Sequence, residues 1–188
     1  MHSLILFASG QGTNVAAIIE HFRDCPQTQI SLIVCNKSQA GVLNIAESEN
    51  IPSLLIDKEA FHSPFFLEKI KSFNPSLLVL AGFLWKIPDH IVEYFPQKII
   101  NIHPALLPKY GGKGMYGNLV HEAVKNAAEK ESGMTIHYVN EHYDEGAIIL
   151  QAKCTIGEQD NTEQIAGKIH QLEHFFYPRT IEFLLQSR

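Results

Sequence analysis

The stretch SLILFASGQGTN, Ser3 to Asn14, decides how the chain must fold. SLILFA is a short apolar run of strand length. Gly10 and Gly12 then break it, and an amphipathic segment opens at Asn14. A strand, a tight glycine turn and a helix make one βα unit. The strand is apolar on both faces, as strands are in a parallel sheet covered by helices on both sides.

The same alternation continues along the chain. ISLIVC (30–35) precedes a predicted helix near 40–49, and PSLLI (52–56) precedes one near 62–72. SLLVLA (76–81) leads through a Trp-containing loop to a short helix near 88–95, and KIINIH (98–103) follows. Later come a helix near 116–130, the strands MTIHYV (134–139) and AIILQAKC (147–154), and a last helix over about 161–185. Asp160 with Glu163 resembles a capping pair at its start. The reading is a doubly wound, mostly parallel α/β sheet. We expect one domain over 1–188, with a nucleotide-binding half of about 1–100 and a catalytic half of about 101–188.

Composition narrows the function classes. The 188 residues are 45% hydrophobic and carry a net charge of −5, which argues against a nucleic-acid surface. Small anions stay open, because backbone N–H groups bind them whatever the net charge. Cys25, Cys35 and Cys154 are odd in number and widely spaced, the pattern of a reducing compartment. No run approaches membrane-spanning length and the first residues lack a signal-peptide pattern, so a cytoplasmic protein is expected.

Four stretches carry chemistry. ASGQGTN (8–14) offers a glycine turn and helix N-terminus suited to a phosphate at Gly12, Thr13 and Asn14; the plain alternative is a βα turn capped by Thr13 or Asn14. NIHPALLPKY (101–110) ends a buried strand with Asn101 and His103 on one side, and Pro104 stops the strand. An amide and an imidazole aimed at one point can hold an oxyanion, though for such a pair alone a strand-end turn is the plainer account. HYDEGAIILQ (142–151) places Asp144 before another strand, where it would orient His103 and raise its pKa, unless it is an ordinary turn Asp. On the last helix Glu173 borders the stripe of Ile165, Ile169, Leu172 and Phe176, where a carboxylate needs a ligand group, Arg179 or Lys168. His170 shares its face.

AGFLWKIP (81–88) could wall a pocket for a flat ring. The alternative is core packing for Phe83 and a rim position for Trp85. His137, Glu141 and His142 lack zinc-site spacing, so no metal is expected, and His137 reads as a hydrogen-bonded histidine behind the site.

Together ASGQGTN, LAGF, NIHPALLPKY, GMTIHYV, DEGAIILQ and EHFFYP resemble the folate-dependent formyltransferases, in order and over nearly the whole chain. The resemblance implies a Rossmann-like formyltransferase fold and a place in purine biosynthesis and one-carbon metabolism. It implies 10-formyltetrahydrofolate as donor and glycinamide ribonucleotide as acceptor. Asn101, His103 and Asp144 become the catalytic trio, with protonated His103 donating to the oxyanion. Gly12, Thr13, Asn14, Pro104, His170 and Glu173 become acceptor-binding residues. Phe83, Leu84, Trp85, Ile87, Val139, Asn140, Glu141 and Tyr143 become folate-binding residues. The chain departs from the family at Leu84-Trp85-Lys86, where Met-Arg is common, and at GGKGMYGNLVHEAV (111–124). Length favours the glycinamide branch over relatives with an added domain. Transfer to an amino sugar on a nucleotide, or a non-catalytic nucleotide-binding module, are the rival readings.

Overall fold

In a computed structural model, which describes residues 1–187, seven strands form one sheet in the order β3-β2-β1-β4-β5-β6-β7. β1 (His2–Ala8), β2 (Thr28–Cys35), β3 (Ser53–Leu55), β4 (Leu77–Leu80) and β5 (Ile99–His103) run parallel. β6 (Glu131–Tyr138) and β7 (Ile148–Thr155) add antiparallel. The mostly parallel doubly wound sheet expected from the sequence is the one observed.

Residue alternation divides the core. Leu4, Leu6 and Ala8 of β1 face one cluster, shared with α1 (Thr13–Phe22), α2 (Val42–Ser48) and α7 (Thr162–Gln186). Ile5 and Phe7 face the other, shared with α3 (Lys58–His62), α4 (Pro64–Lys71) and α5 (Asp89–Tyr94). Each fully buried Leu, Ile or Phe stabilises the fold by roughly 1.5–3 kcal/mol, so β1 contributes from both sides. The chain leaves β1 toward β2 and later returns to β4 on its other flank. That reversal opens a crevice beyond the carboxyl ends of β1 and β4.

Three local readings need correction. The helix expected near 62–72 is two, because Ser63 is extended (ψ 149°) before Pro64, and Pro disfavours a helical predecessor. Ser63 then caps α4 by accepting from the Phe66 N–H at 3.3 Å. The last helix is capped by Asn161 with Gln164, each side chain bonding the other's backbone N–H at 2.8 Å. Asp160 instead accepts from Gly157 N–H and Lys168. The helix expected over 116–130 is the shorter α6, Asn118–Asn126.

α7 locks the sheet to the crevice. Ile165, Ile169, Glu173, Tyr177 and Ile181 form its buried stripe. Tyr177 is fully buried, and its hydroxyl donates to the Leu80 carbonyl at 2.9 Å. That bond ties α7 to the end of β4, one residue before the loop that forms a cavity wall.

Candidate active site

The first turn starts at Ser9, whose N–H donates to the Gly82 carbonyl and whose hydroxyl accepts from the Leu84 N–H, both at 3.0 Å. The β1 and β4 turns are therefore one unit. Gly12 holds φ 80°, and α1 follows with no side-chain cap. Neither Thr13 nor Asn14 caps it, so the N-terminal N–H groups are left to a ligand. The structure corrects the reason for Gly12. A Cβ there would meet Val42 at 2.9 Å, inside the protein, whereas a Cβ on Gly10 would meet nothing within 4 Å. Gly12 serves packing and the left-handed turn; Gly10 leaves space on the cavity side.

β5 delivers Asn101 and His103, and β6 pairs with it so that His137 lies opposite Asn101 and Thr135 opposite His103. The His137 Nδ1 lies 2.8 Å from the Tyr138 carbonyl, which can only accept, so Nδ1 carries the hydrogen. In that neutral tautomer Nε2 accepts, and the Asn101 amide donates to it at 3.2 Å. The orientation of the amide follows. Its Nδ2 is turned toward His137 and toward Asp144 Oδ1, 3.4 Å away. His137 is hydrogen-bonded, as the sequence reading had it, but it lines the cavity rather than lying behind it.

Asp144 sits in a left-handed conformation (φ 57°) between the two histidines. Its Oδ2 is 3.5 Å from His103 Nδ1 and its Oδ1 is 3.5 Å from His137 Nε2. The Gly112 N–H donates to Oδ2 at 2.9 Å. Burial pushes the Asp144 carboxyl up, but His137, His103 and the Gly112 N–H outweigh it, and the pKa falls below the usual Asp range. Asp144 is thus ionised at neutral pH.

His103 departs from expectation. Burial lowers its pKa, and Asp144 and the Tyr110 carbonyl only partly offset that loss. The resting imidazole is neutral rather than protonated. Its Nε2–H is already given to the Tyr110 carbonyl at 2.7 Å. The nitrogen free to exchange a proton is Nδ1, the one beside Asp144.

On the opposite wall Glu173 is 4% exposed, and its Oε2 accepts from Asn14 Nδ2 at 2.9 Å. Neither Lys168 nor Arg179 pairs with it. Lys168 goes to Asp160, and Arg179 lies over the Phe175 ring. Burial raises the Glu173 pKa, and the Asn14 bond only partly counters it.

These walls enclose one cavity of about 660 Å³. Asn101, His103 and Asp144 line it, as do Gly12, Thr13, Asn14, Pro104, His170 and Glu173. Phe83, Leu84, Trp85, Ile87, Val139, Asn140 and Tyr143 form the remaining expected wall. Glu141 is the exception: it is exposed in the turn after β6 and lies outside that lining, because its side chain points to solvent. Phe83 is buried, and Trp85 is half-buried against Phe61, ring centroids 5.5 Å apart, rather than exposed at a rim. Among the described residues no group of three His, Cys, Asp or Glu is placed to hold a metal.

With this geometry in view, the comparison with known proteins is specific. Residues 2–181 match the formyl transferase family. The chain belongs to that family. A phosphoribosylglycinamide formyltransferase of Bacillus subtilis is 36% identical over 98% of this chain and 95% of its own length. The chloroplastic enzyme of Arabidopsis thaliana is 35% identical; this chain spans 66% of it, and 61% of the corresponding Vigna unguiculata protein. The crystal structure of phosphoribosylglycinamide formyltransferase from Anaplasma phagocytophilum superposes with a TM-score of 0.90 at 31% identity, over 98% of this chain and 87% of that one. The Coxiella burnetii enzyme in complex with CHES gives 0.87 at 34%, over 100% and 88%.

Several residues around this cavity escape sequence reading. Thr135 is fully buried, donates to the Ala105 carbonyl at 2.6 Å and accepts from the Leu107 N–H at 3.1 Å, so it holds the loop after His103. Ser9 and Tyr177 act through backbone atoms, for which no motif exists. His121 had one signal: it falls on the buried face of α6 with Val120 and Val124.

Proposed function

We propose that this chain is a phosphoribosylglycinamide formyltransferase, which moves the formyl group of 10-formyltetrahydrofolate to the primary amine of glycinamide ribonucleotide in purine biosynthesis. One observation carries the reading: the Asn101–His103–Asp144 group and the phosphate-type turn with Glu173 line the same cavity. An amine on a phosphorylated ribose would reach from one to the other.

The acceptor's phosphate sits on the N–H groups that open α1, and Glu173 takes a ribose hydroxyl. An α-amine has a pKa of about 8 and is largely protonated at neutral pH. Neutral His103, through Nδ1, removes a proton and leaves a nucleophile, and ionised Asp144 stabilises the imidazolium that forms. The amine nitrogen bonds to the formyl carbon, and the C=O electron pair moves to oxygen. The Asn101 amide keeps one N–H on His137 and moves the other from Asp144 Oδ1 to that oxyanion. The oxyanion pair returns to carbon as the C–N10 bond breaks, N10 receives the proton held on His103, the attacking nitrogen loses its second proton through the freed His103 to solvent, and tetrahydrofolate leaves. Phe83, Trp85, Ile87 and Val139 supply the apolar wall for the donor's ring system. The N-terminal half carries the nucleotide turn and the C-terminal half the catalytic groups.

No helix among the described residues is long and apolar enough to cross a membrane. The cysteines Cys25, Cys35 and Cys154 are free thiols, which supports a cytoplasmic location. The test is direct. Purified chain, glycinamide ribonucleotide and 10-formyltetrahydrofolate should give formylated ribonucleotide and tetrahydrofolate in equal amounts. Turnover only with an amino-sugar nucleotide, or ribonucleotide binding without turnover, would replace this reading with one of its rivals.

A further inference from the structure

His121 is used by no step above. It projects from α6, is only 2% exposed, and still lines the cavity. Its Nδ1 is shut away from solvent and has no hydrogen-bond partner in the protein. Buried polar atoms are normally paired, and an unpaired one is costly, so a histidine kept here calls for a bound group.

Its neighbours locate that group. The His121 ring stands edge-on to His170, centroids 6.5 Å apart at 90°. His170 is one turn from Glu173 on α7. His103 is also near enough to oppose His121 protonation. The imidazole therefore shares one cavity with the ribose end at His170 and Glu173 and the reacting end at His103. Burial first, then His170 and His103, push its pKa down to about 4, which keeps the ring neutral at pH 7. A neutral imidazole offers one N–H donor and one acceptor nitrogen. It is poorly matched to a phosphate, whose contacts are all acceptors, and well matched to an amide, which has one C=O and one N–H.

We propose that His121 is a specificity-determining residue that hydrogen-bonds the acceptor's linker amide, between the ribose held at Glu173 and the amine presented to His103. The inference rests on the acceptor being glycinamide ribonucleotide. It places amide recognition on α6.

The experiment compares glycinamide ribonucleotide with ribose 5-phosphate, which keeps the phosphate and sugar but lacks the linker. Calorimetric titration of wild type and His121→Phe at pH 7 should show glycinamide ribonucleotide binding about tenfold more weakly to the variant, the loss of one good hydrogen bond. Ribose 5-phosphate affinity should stay within twofold. An equal loss for both, or no loss for either, overturns the proposal. If the variant does not fold, wild-type protein answers alone. The ¹⁵N resonances of the His121 ring should move on adding glycinamide ribonucleotide and stay in place with ribose 5-phosphate; any other pattern overturns it. Failure of wild type to formylate glycinamide ribonucleotide would instead defeat the functional reading, and this one with it. Normal turnover with an indifferent His121 defeats this inference alone.

Discussion

His137→Phe tests the oxyanion geometry at the point where it is most constrained. The substitution keeps an aromatic ring in a site that is 2% exposed, and removes two bonds. One is the Nδ1–H bond to the Tyr138 carbonyl at 2.8 Å, and the other is the acceptance from Asn101 Nδ2 at 3.2 Å. Removing one partner of a buried hydrogen bond costs about 1–3 kcal/mol. For a chain of this size each kcal/mol lowers Tm by roughly 2–4 °C, so a fall of about 5–10 °C is expected. The effect on rate comes from Asn101. Without an acceptor at Nε2, the amide can turn its oxygen toward the developing oxyanion, where it repels instead of donating. Loss of one oxyanion donor lowers kcat about 10²–10³-fold. Both KM values should move less than threefold, since His137 has no place in ground-state binding. Steady-state kinetics with each substrate varied separately, on protein whose circular dichroism matches wild type, makes the measurement. A folded variant with kcat within twofold of wild type refutes the argument that His137 orients Asn101.

Asp144→Asn should lower kcat by about 10²-fold or more at pH 7, because the imidazolium loses its carboxylate; near-normal turnover would remove Asp144 from the proton path. Gly12→Val and Gly10→Val should separate packing from ligand approach. The first should lose stability, with a Cβ 2.9 Å from Val42 at φ 80°, by about 2–4 kcal/mol, read by thermal melting. The second should melt normally and raise the KM for the phosphorylated acceptor alone. Glu173→Gln should weaken ribonucleotide binding more than folate binding; the reverse order, by calorimetry, would exchange the two ends of the cavity. The pH dependence of stability has a definite sign. His103 and His121 both have folded pKa values below 6.5, so the unfolded chain takes up protons first as pH falls. Stability should be full above pH 6.5 and decline below it, and for His121 the decline ends near its folded value of about 4. That fall is worth on the order of 3 kcal/mol for His121. Urea denaturation of His121→Phe should therefore show a shallower loss between pH 6.5 and 4, and an unchanged slope would contradict the assignment.

The sequence by itself determined the sheet and where its chemistry must lie. Strands apolar on both faces cannot be left uncovered, so SLILFA, SLLVLA and KIINIH required helices on both sides. Glycines after β1 and a proline after His103 end those strands at the edge where a doubly wound sheet binds ligands. Local chemistry sets these features, and local chemistry is what a sequence displays. The split at Ser63-Pro64 was equally local, and the X-Pro rule accounts for it.

Other features depended on distances between residues far apart in the chain. The partner of Glu173 is Asn14, 159 positions away, because α7 packs against α1. The protonation of His103 reverses the sequence expectation, because burial depends on everything packed around it and here outweighs the visible Asp144. Gly12 looked like a ligand contact, yet its missing side chain makes room for Val42. The orientation of Asn101 follows from a chain of hydrogen bonds through His137 to the Tyr138 carbonyl, a backbone atom that every residue carries and no motif marks. Residue types and spacing name the groups that can react; only packing sets the dielectric, the tautomer and the free lone pair that decide how they do so.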